Sequence, residues 1–188
     1  VHLQQEKALT LHELVGRVLV ARPHLEDSFF QRSVVYIYES TPNGVAGLIL
    51  NKKNYIKFEN ICTQRGFPMM GTQNPPVYCG GPVNESAILL LHTDDFGSSN
   101  TMQVKNNIAI SSDSLMIEKI AMDNTPMLWR MFNGCSIWHP KQIKQELLMN
   151  NWLITDLTLT EIFDLEGRSQ WDTAVNRTAN QILDKLFA

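Results

Sequence analysis

Hydrophobic positions crowd into short, β-branched runs in the first half of this chain and spread to helical spacing in the second. Arg17–Ala21 is rich in Val and Leu with little alternation, as in a strand covered on both faces. Pro23 ends it, because proline cannot donate to a ladder. Glu26–Gln31 reads as a single helical turn. Ser33–Glu39 is β-branched and aromatic throughout, a composition that suits a buried pleated surface. Thr41-Pro42-Asn43-Gly44 is a turn in which Asn-Gly tolerates positive φ, and Val45–Asn51 returns as the partner strand. Gly47 inside that strand marks a bulge or a close backbone approach.

Further on, an amphipathic piece surrounds Phe58–Gln64, and a loop with three prolines and two glycines spans Gly66–Pro76. Val77–Cys79 and Ala87–His92 read as brief strands, and Met102–Val104 with Ile108–Ser111 as a hairpin. Ser112 or Asp113 caps a helix whose apolar face is Leu115, Met116, Ile120 and Met122. Met127–Phe132 is a strand, Gly134–Pro140 a loop, and Pro140 opens a helix with Ile143, Leu147 and Leu148 inward. Trp152–Thr155 reads as a last strand. Capping boxes stand at Thr10…Glu13 and Thr158…Glu161, each predicting a short helix. Over Gln170–Phe187, Trp171, Ala174, Val175, Ala179, Ile182, Leu183 and Leu186 recur at helical spacing. Strands early, helices late and antiparallel hairpins together argue for an α+β class.

The chain has 188 residues, 44% of them hydrophobic, which fits one domain over 1–188 with residues 1–15 as an extension carrying a short helix. A net charge of −3 and the lack of a helix-turn-helix pattern argue against a nucleic-acid partner. Three widely spaced cysteines, Cys62, Cys79 and Cys135, make no disulfide framework and point to a reducing, cytoplasmic setting. No apolar run is long enough to span a bilayer, so no membrane association is expected.

Candidate chemistry is sparse. Cys79-Gly80-Gly81-Pro82 permits an unusual backbone path that either exposes amides to a ligand or makes a tight structural turn. Cys79 is a nucleophile only if a base such as His92 approaches it. Among His2, His12, His24, His92 and His139, none forms a zinc-type pair, so neither a metal nor a cofactor is expected. His24, Asp27 and Glu39 are candidates for an acid/base cluster near one strand end. Trp138 is either an exposed anchor for a partner or a side chain packed over its own helix.

These motifs, taken in order, carry a resemblance. Leu19-Val20-Ala21, Pro23, Leu25, Asp27, Phe30 and Ser33-Val34-Val35-Tyr36 lead to Gly44 and Gly47-Leu48-Ile49-Leu50-Asn51. Val77-Tyr78-Cys79-Gly80-Gly81-Pro82-Val83 and Leu91-His92 follow, then Gly134, Trp138, Pro140, Gln142, Glu146, Asn150 and Trp152. The sequence resembles the YqgE/AlgH family of small bacterial proteins from Gly16 to Trp171. It departs from that pattern at Tyr38-Glu39-Ser40, where the family has Cys-Glu-His, and at Cys135, Ile137, Lys141 and Lys144. The resemblance implies a branched, partly barrel-like, mostly antiparallel sheet surrounded by helices, and a link to regulation of transcription. The departures favour a binding role over shared catalysis.

The sequence therefore leads to a non-enzymatic regulatory or adaptor protein, a monomer or weak homodimer, with a protein or small-molecule partner. Its expected surface joins Pro23, His24, Asp27, Glu39, Gly80, Gly81, Pro82, His92 and Trp138. The alternative is a small hydrolase-like or redox enzyme with an acid/base site at Asp27, Glu39 and His92.

Overall fold

In the computed structural model, which describes residues 10–27 and 29–187, the N-terminal β-ribbon forms as the hydrophobic pattern predicts. Strand β1 (Val18–Ala21) is buried along its whole length and pairs antiparallel with β2 (Val34–Thr41), which pairs in turn with β3 (Gly44–Ile49). The turn between β1 and β2 is organised by Asp27, whose Oδ1 accepts from the amides of Phe29 at 2.8 Å and Phe30 at 3.0 Å. The β2–β3 hairpin closes at Thr41 opposite Gly44. Its central pair is therefore Pro42 and Asn43, and neither Asn43 nor Gly44 adopts the positive φ that the Asn-Gly reading expects. The register slips between Ile37 and Glu39, so Tyr38 on β2 is the extra residue and Gly47 stays in register.

A strand that the hydrophobic pattern does not disclose, β4 (Lys53–Lys57), leads into helix α1 (Phe58–Arg65) and pairs with β5 (Pro76–Cys79). It carries two lysines and is largely exposed, so it gives no period-2 signal. After β5 come β6 (Val83–Thr93), the short hairpin β7 (Thr101–Gln103) and β8 (Ile108–Ser111), and α2 (Ser114–Ala121). Asp113 caps α2 by accepting from the Met116 amide at 2.9 Å. The buried face of α2 is Met116, Ile117, Ile120 and Ala121, while Leu115 and Met122 point outward. Strand β9 (Trp129–Trp138) follows, then α3 (Pro140–Leu148), β10 (Trp152–Thr155), α4 (Leu159–Phe163) and α5 (Gly167–Phe187). Both capping boxes form, with Glu13 and Glu161 accepting from the backbone amides of Thr10 and Thr158.

The strands join in the order β10-β1-β2-β3-β9-β6-β8-β7, with β4–β5 branching off β9. Every pairing is antiparallel except β5 with β9. The branch sits on β9. Its first half pairs with β5 through Met131–Asn133, and its second half pairs with β3 through Ser136–Trp138. The sheet is curled into a half-barrel, and α+β is the fold class. Helices α4 and α5 cover one face of the β10–β1–β2–β3 ribbon, over Val18, Val20 and Tyr36. Helix α3 covers the other face, over Leu19, Ala21 and Trp152. A third core lies under α1 and α2, around Phe58, Leu90 and Met131.

Two glycines make the branch possible. Gly134 interrupts β9 with φ +67°, and Gly81 crosses β9 so closely that an added Cβ would lie 2.2 Å from the Cys135 carbonyl carbon. No side chain fits there without displacing backbone. The Gly81→Ala variant is expected to lose at least as much stability as Leu48→Ala, which removes a fully buried side chain and costs about 2–5 kcal/mol. Denaturant melts of the two variants check this, and a near-neutral Gly81→Ala would mean that the branch is not so tightly crossed.

Candidate functional site

The residues singled out from sequence do not form one site. Pro23, His24 and Asp27 are exposed in the β1–β2 turn. Glu39 is also exposed but lies toward the opposite end of β2, some five residues or about 17 Å further along the strand. His92 is 0% exposed on β6, where Nε2 meets the Ser111 hydroxyl at 2.8 Å and Nδ1 meets the Thr93 carbonyl at 2.7 Å. Both ring nitrogens are occupied inside the protein, so His92 is available neither to Asp27 and Glu39 nor as a base for Cys79. Asp27 spends an oxygen on its own turn. The acid/base cluster does not assemble.

The diglycine segment is likewise structural. Gly80 and Gly81 are buried while Pro82 is exposed. The Gly80 amide donates to the Asn133 carbonyl at 2.9 Å, and its carbonyl accepts from the Ile49 amide at 3.0 Å and the Ser136 hydroxyl at 3.1 Å. These backbone groups hold β3, β5 and β9 together instead of facing solvent. Burial pushes the Cys62 and Cys135 thiols up, which makes them poor nucleophiles.

Trp138 is the clearest correction. The segment read as a loop is the second half of β9, and Trp138 is only 2% exposed. Its ring meets Trp152 edge-on at 5.9 Å, with Phe30 against both. The Glu146 carboxylate on α3 accepts from both indoles, at 3.1 Å from Trp138 and 2.7 Å from Trp152. The Trp138…Glu146…Trp152 spacing thus fixes α3 to the sheet and is not itself a docking surface.

That clamp borders a groove of about 1120 Å³. Its floor is β10, through Trp152, Leu153 and Ile154, and its walls are α3 on one side and α5 on the other. Leu147, Leu148 and Pro140 line the α3 wall, and Thr178 and Ile182 the α5 wall. Two cations, Arg22 and Lys144, also line it, and among the described residues no carboxylate does. Arg22 Nε is buried without a hydrogen-bond partner. Of the apolar lining, Leu148 is 83% and Ile182 49% exposed. Contiguous apolar exposure of this kind marks an interaction site more often than chance.

The signal for this groove is present in the sequence as a surplus. Leu147, Leu148, Ile182, Leu183 and Leu186 sit at helical spacing and read as core. Leu148, Ile182, Leu183 and Leu186 are instead exposed, and no further element among the described residues covers them. Arg22 carries no signal of its own and gains meaning only from the β1–β10 pairing.

A family model described as AlgH-like matches residues 18–183. A UPF0301 protein of Marinomonas sp. strain MWYL1 is 31% identical over 158 residues, covering 83% of this chain and 84% of that protein. A UPF0301 protein of Rickettsia felis is 30% identical over 166 residues, 87% of this chain and 88% of its own. Among solved structures, the AlgH protein from Pseudomonas aeruginosa superposes with a TM-score of 0.76 at 25% identity, covering 93% of this chain and 92% of that one.

Burial of His92 also sets a pH dependence. Desolvation holds its pKa below the ordinary 6.5. The unfolded chain takes up this proton at about 6.5 and the folded chain only at lower pH, so stability is complete above that value and declines as pH falls below it. The depressed carboxylates Asp95, Asp113, Glu161 and Glu166 act only below their ordinary values of 3.8–4.5. The melting temperature is therefore expected to fall between about pH 7 and 5, and the slope to flatten in His92→Gln. An identical slope in the variant would show that another group is responsible.

Proposed function

The chain belongs to the AlgH-like family, and from that premise we propose that it works as a non-enzymatic regulatory adaptor whose docking surface is the groove along β10. The groove itself carries the reading: apolar walls, two cations without acidic partners among the described residues, and a preformed floor. The scattering of Asp27, Glu39 and His92 supports binding over catalysis, since acid/base work needs those groups within hydrogen-bond reach of one substrate. A cytoplasmic setting belongs to the same proposal and is supported by three unpaired cysteines. Among the described residues, no helix is long and apolar enough to cross a membrane.

The groove moves the binding surface away from the diglycine segment and from Trp138, both of which are consumed by the fold. Of the surface expected from sequence, the Pro23 end survives, because Arg22 immediately before it lines the groove. An anionic aromatic dye tests the reading. Anilinonaphthalene sulfonate is expected to fluoresce strongly with the folded protein, and the signal to fall several-fold in Leu148→Glu/Ile182→Glu. Both positions are at least half exposed or nearly so, at 83% and 49%, so the melting temperature should change little. Equal dye binding by the double variant would remove the groove as the binding surface.

A further inference from the structure

Strand β10 is an open sheet edge held at the bottom of the groove. Among the described residues it pairs only with β1, with Val18 opposite Thr155, Leu19 opposite Ile154, Val20 opposite Leu153 and Ala21 opposite Trp152. The hydrogen-bonding phase of this ladder is fixed by its ends. The Ala21 amide donates to Ser33 in β2's direction, while the Arg22 amide donates to the Asn151 carbonyl at 3.0 Å. Antiparallel bonding alternates along a strand, so Leu153 and Thr155 turn their backbone groups toward β1. Trp152 and Ile154 turn theirs away, toward the groove. Among the described residues, no second strand meets them.

We infer that this edge, on the reading that the groove is the docking surface, binds an extended acidic peptide as an added antiparallel or parallel strand. Four observations converge on that occupant. The outward N–H and C=O groups of Trp152 and Ile154 offer the ladder that strand addition uses. The floor strand presents alternate side chains to the two walls, Leu153 toward the α5 core and Ile154 toward the α3 core, so an added strand would send its own side chains alternately to α5 and α3. Among the described residues, Arg22 and Lys144 are the charged residues of the lining and neither has an ion-pair partner, which selects acidic side chains on the peptide. Arg22 has the added feature of a buried Nε without an acceptor.

A second copy of the chain fits less well. Its own β10 lies on the floor of the same groove, between α3 and α5, so two floors cannot meet unless the walls part. A free peptide strand carries no such walls. A single-chain carboxylate would satisfy the cations and the apolar walls but would leave the outward amides of Trp152 and Ile154 unused.

The test uses the full chain and fluorescein-labelled peptides of alternating valine and glutamate. One is unmodified, one is N-methylated at every valine and one at every glutamate. The unmodified peptide is expected to bind, with one methylated form at least tenfold weaker and the other close to unmodified, because only alternate amides face β10. Arg22→Glu is expected to weaken the unmodified peptide at least tenfold. Ile154→Pro removes an amide that faces away from β1 and meets no other strand among the described residues, so it should keep the melting transition and lose the peptide. Equal binding of all three peptides, or displacement by decanoate with no sensitivity to N-methylation, would overturn strand addition in favour of a small amphipathic acid. A dimer in sedimentation that Ile154→Pro dissociates, without peptide binding, would overturn it in favour of self-pairing. If the dye binds as described above but no peptide does, the groove stands and only this inference falls.

Discussion

The buried guanidinium of Arg130 is the constraint on which the helical half of this protein depends. It is 5% exposed near the start of β9, and no carboxylate oxygen is bonded to it among the described residues. It donates instead to backbone carbonyls: Leu50 at 2.6 Å, Phe163 at 2.7 Å and Leu165 at 3.0 Å. Its carbon lies 4.3 Å from the centre of the Tyr78 ring. Phe163 ends α4, where carbonyls lack partners inside the helix and carry partial negative charge, so a cation there satisfies groups that would otherwise be buried and bare. Leu165 leads into α5. Asn51 adds a second tie, with its Nδ2 donating to Gly167 at 3.0 Å and to Arg32 at 2.8 Å. The start of α5 is thus bolted to the sheet by polar groups, and its Trp171 donates to the Ala21 carbonyl at 2.7 Å.

The opposite wall is fixed by different chemistry. Glu146 accepts from two indoles and from Gln142, which holds α3 over Trp138 and Trp152. Two independent clamps, one cationic and one anionic, therefore set the separation of α3 and α5. Both cover the ribbon and leave the β10 edge between them. Each clamp is saturated by its own partners, and among the described residues Arg22 and Lys144 have no counter-charge. The groove is a consequence of how the helices are anchored. Its residual charge follows from which groups the anchors consume.

How much of this was legible in the sequence depended on the range of the interaction. Local chemistry read well: the β1–β3 ribbon, both capping boxes, the Asp113 cap and the length of α5 follow from neighbours in the chain. Readings that needed a distant partner went astray. Gly134 looked like the end of a strand, yet its φ serves a branch that only β5 and β3 together require. Trp138 stayed open between a loop anchor and a side chain packed over its own helix, because its partners Trp152 and Phe30 come from other elements. Strand β4 was hidden because its side chains face solvent. Arg130 stands out as a lone charge within Met127–Phe132, a cue that a buried polar hub was needed, but its acceptors lie 33 to 80 residues away. The groove was invisible for the same reason: an open edge is defined by a pairing that does not happen.

That edge can be observed directly by amide hydrogen exchange under native conditions. The account predicts alternation along β10, with the Leu153 and Thr155 amides protected by β1 and the Trp152 and Ile154 amides exchanging far faster. Uniform protection of all four would contradict it, since some other part of the molecule would then already occupy the edge.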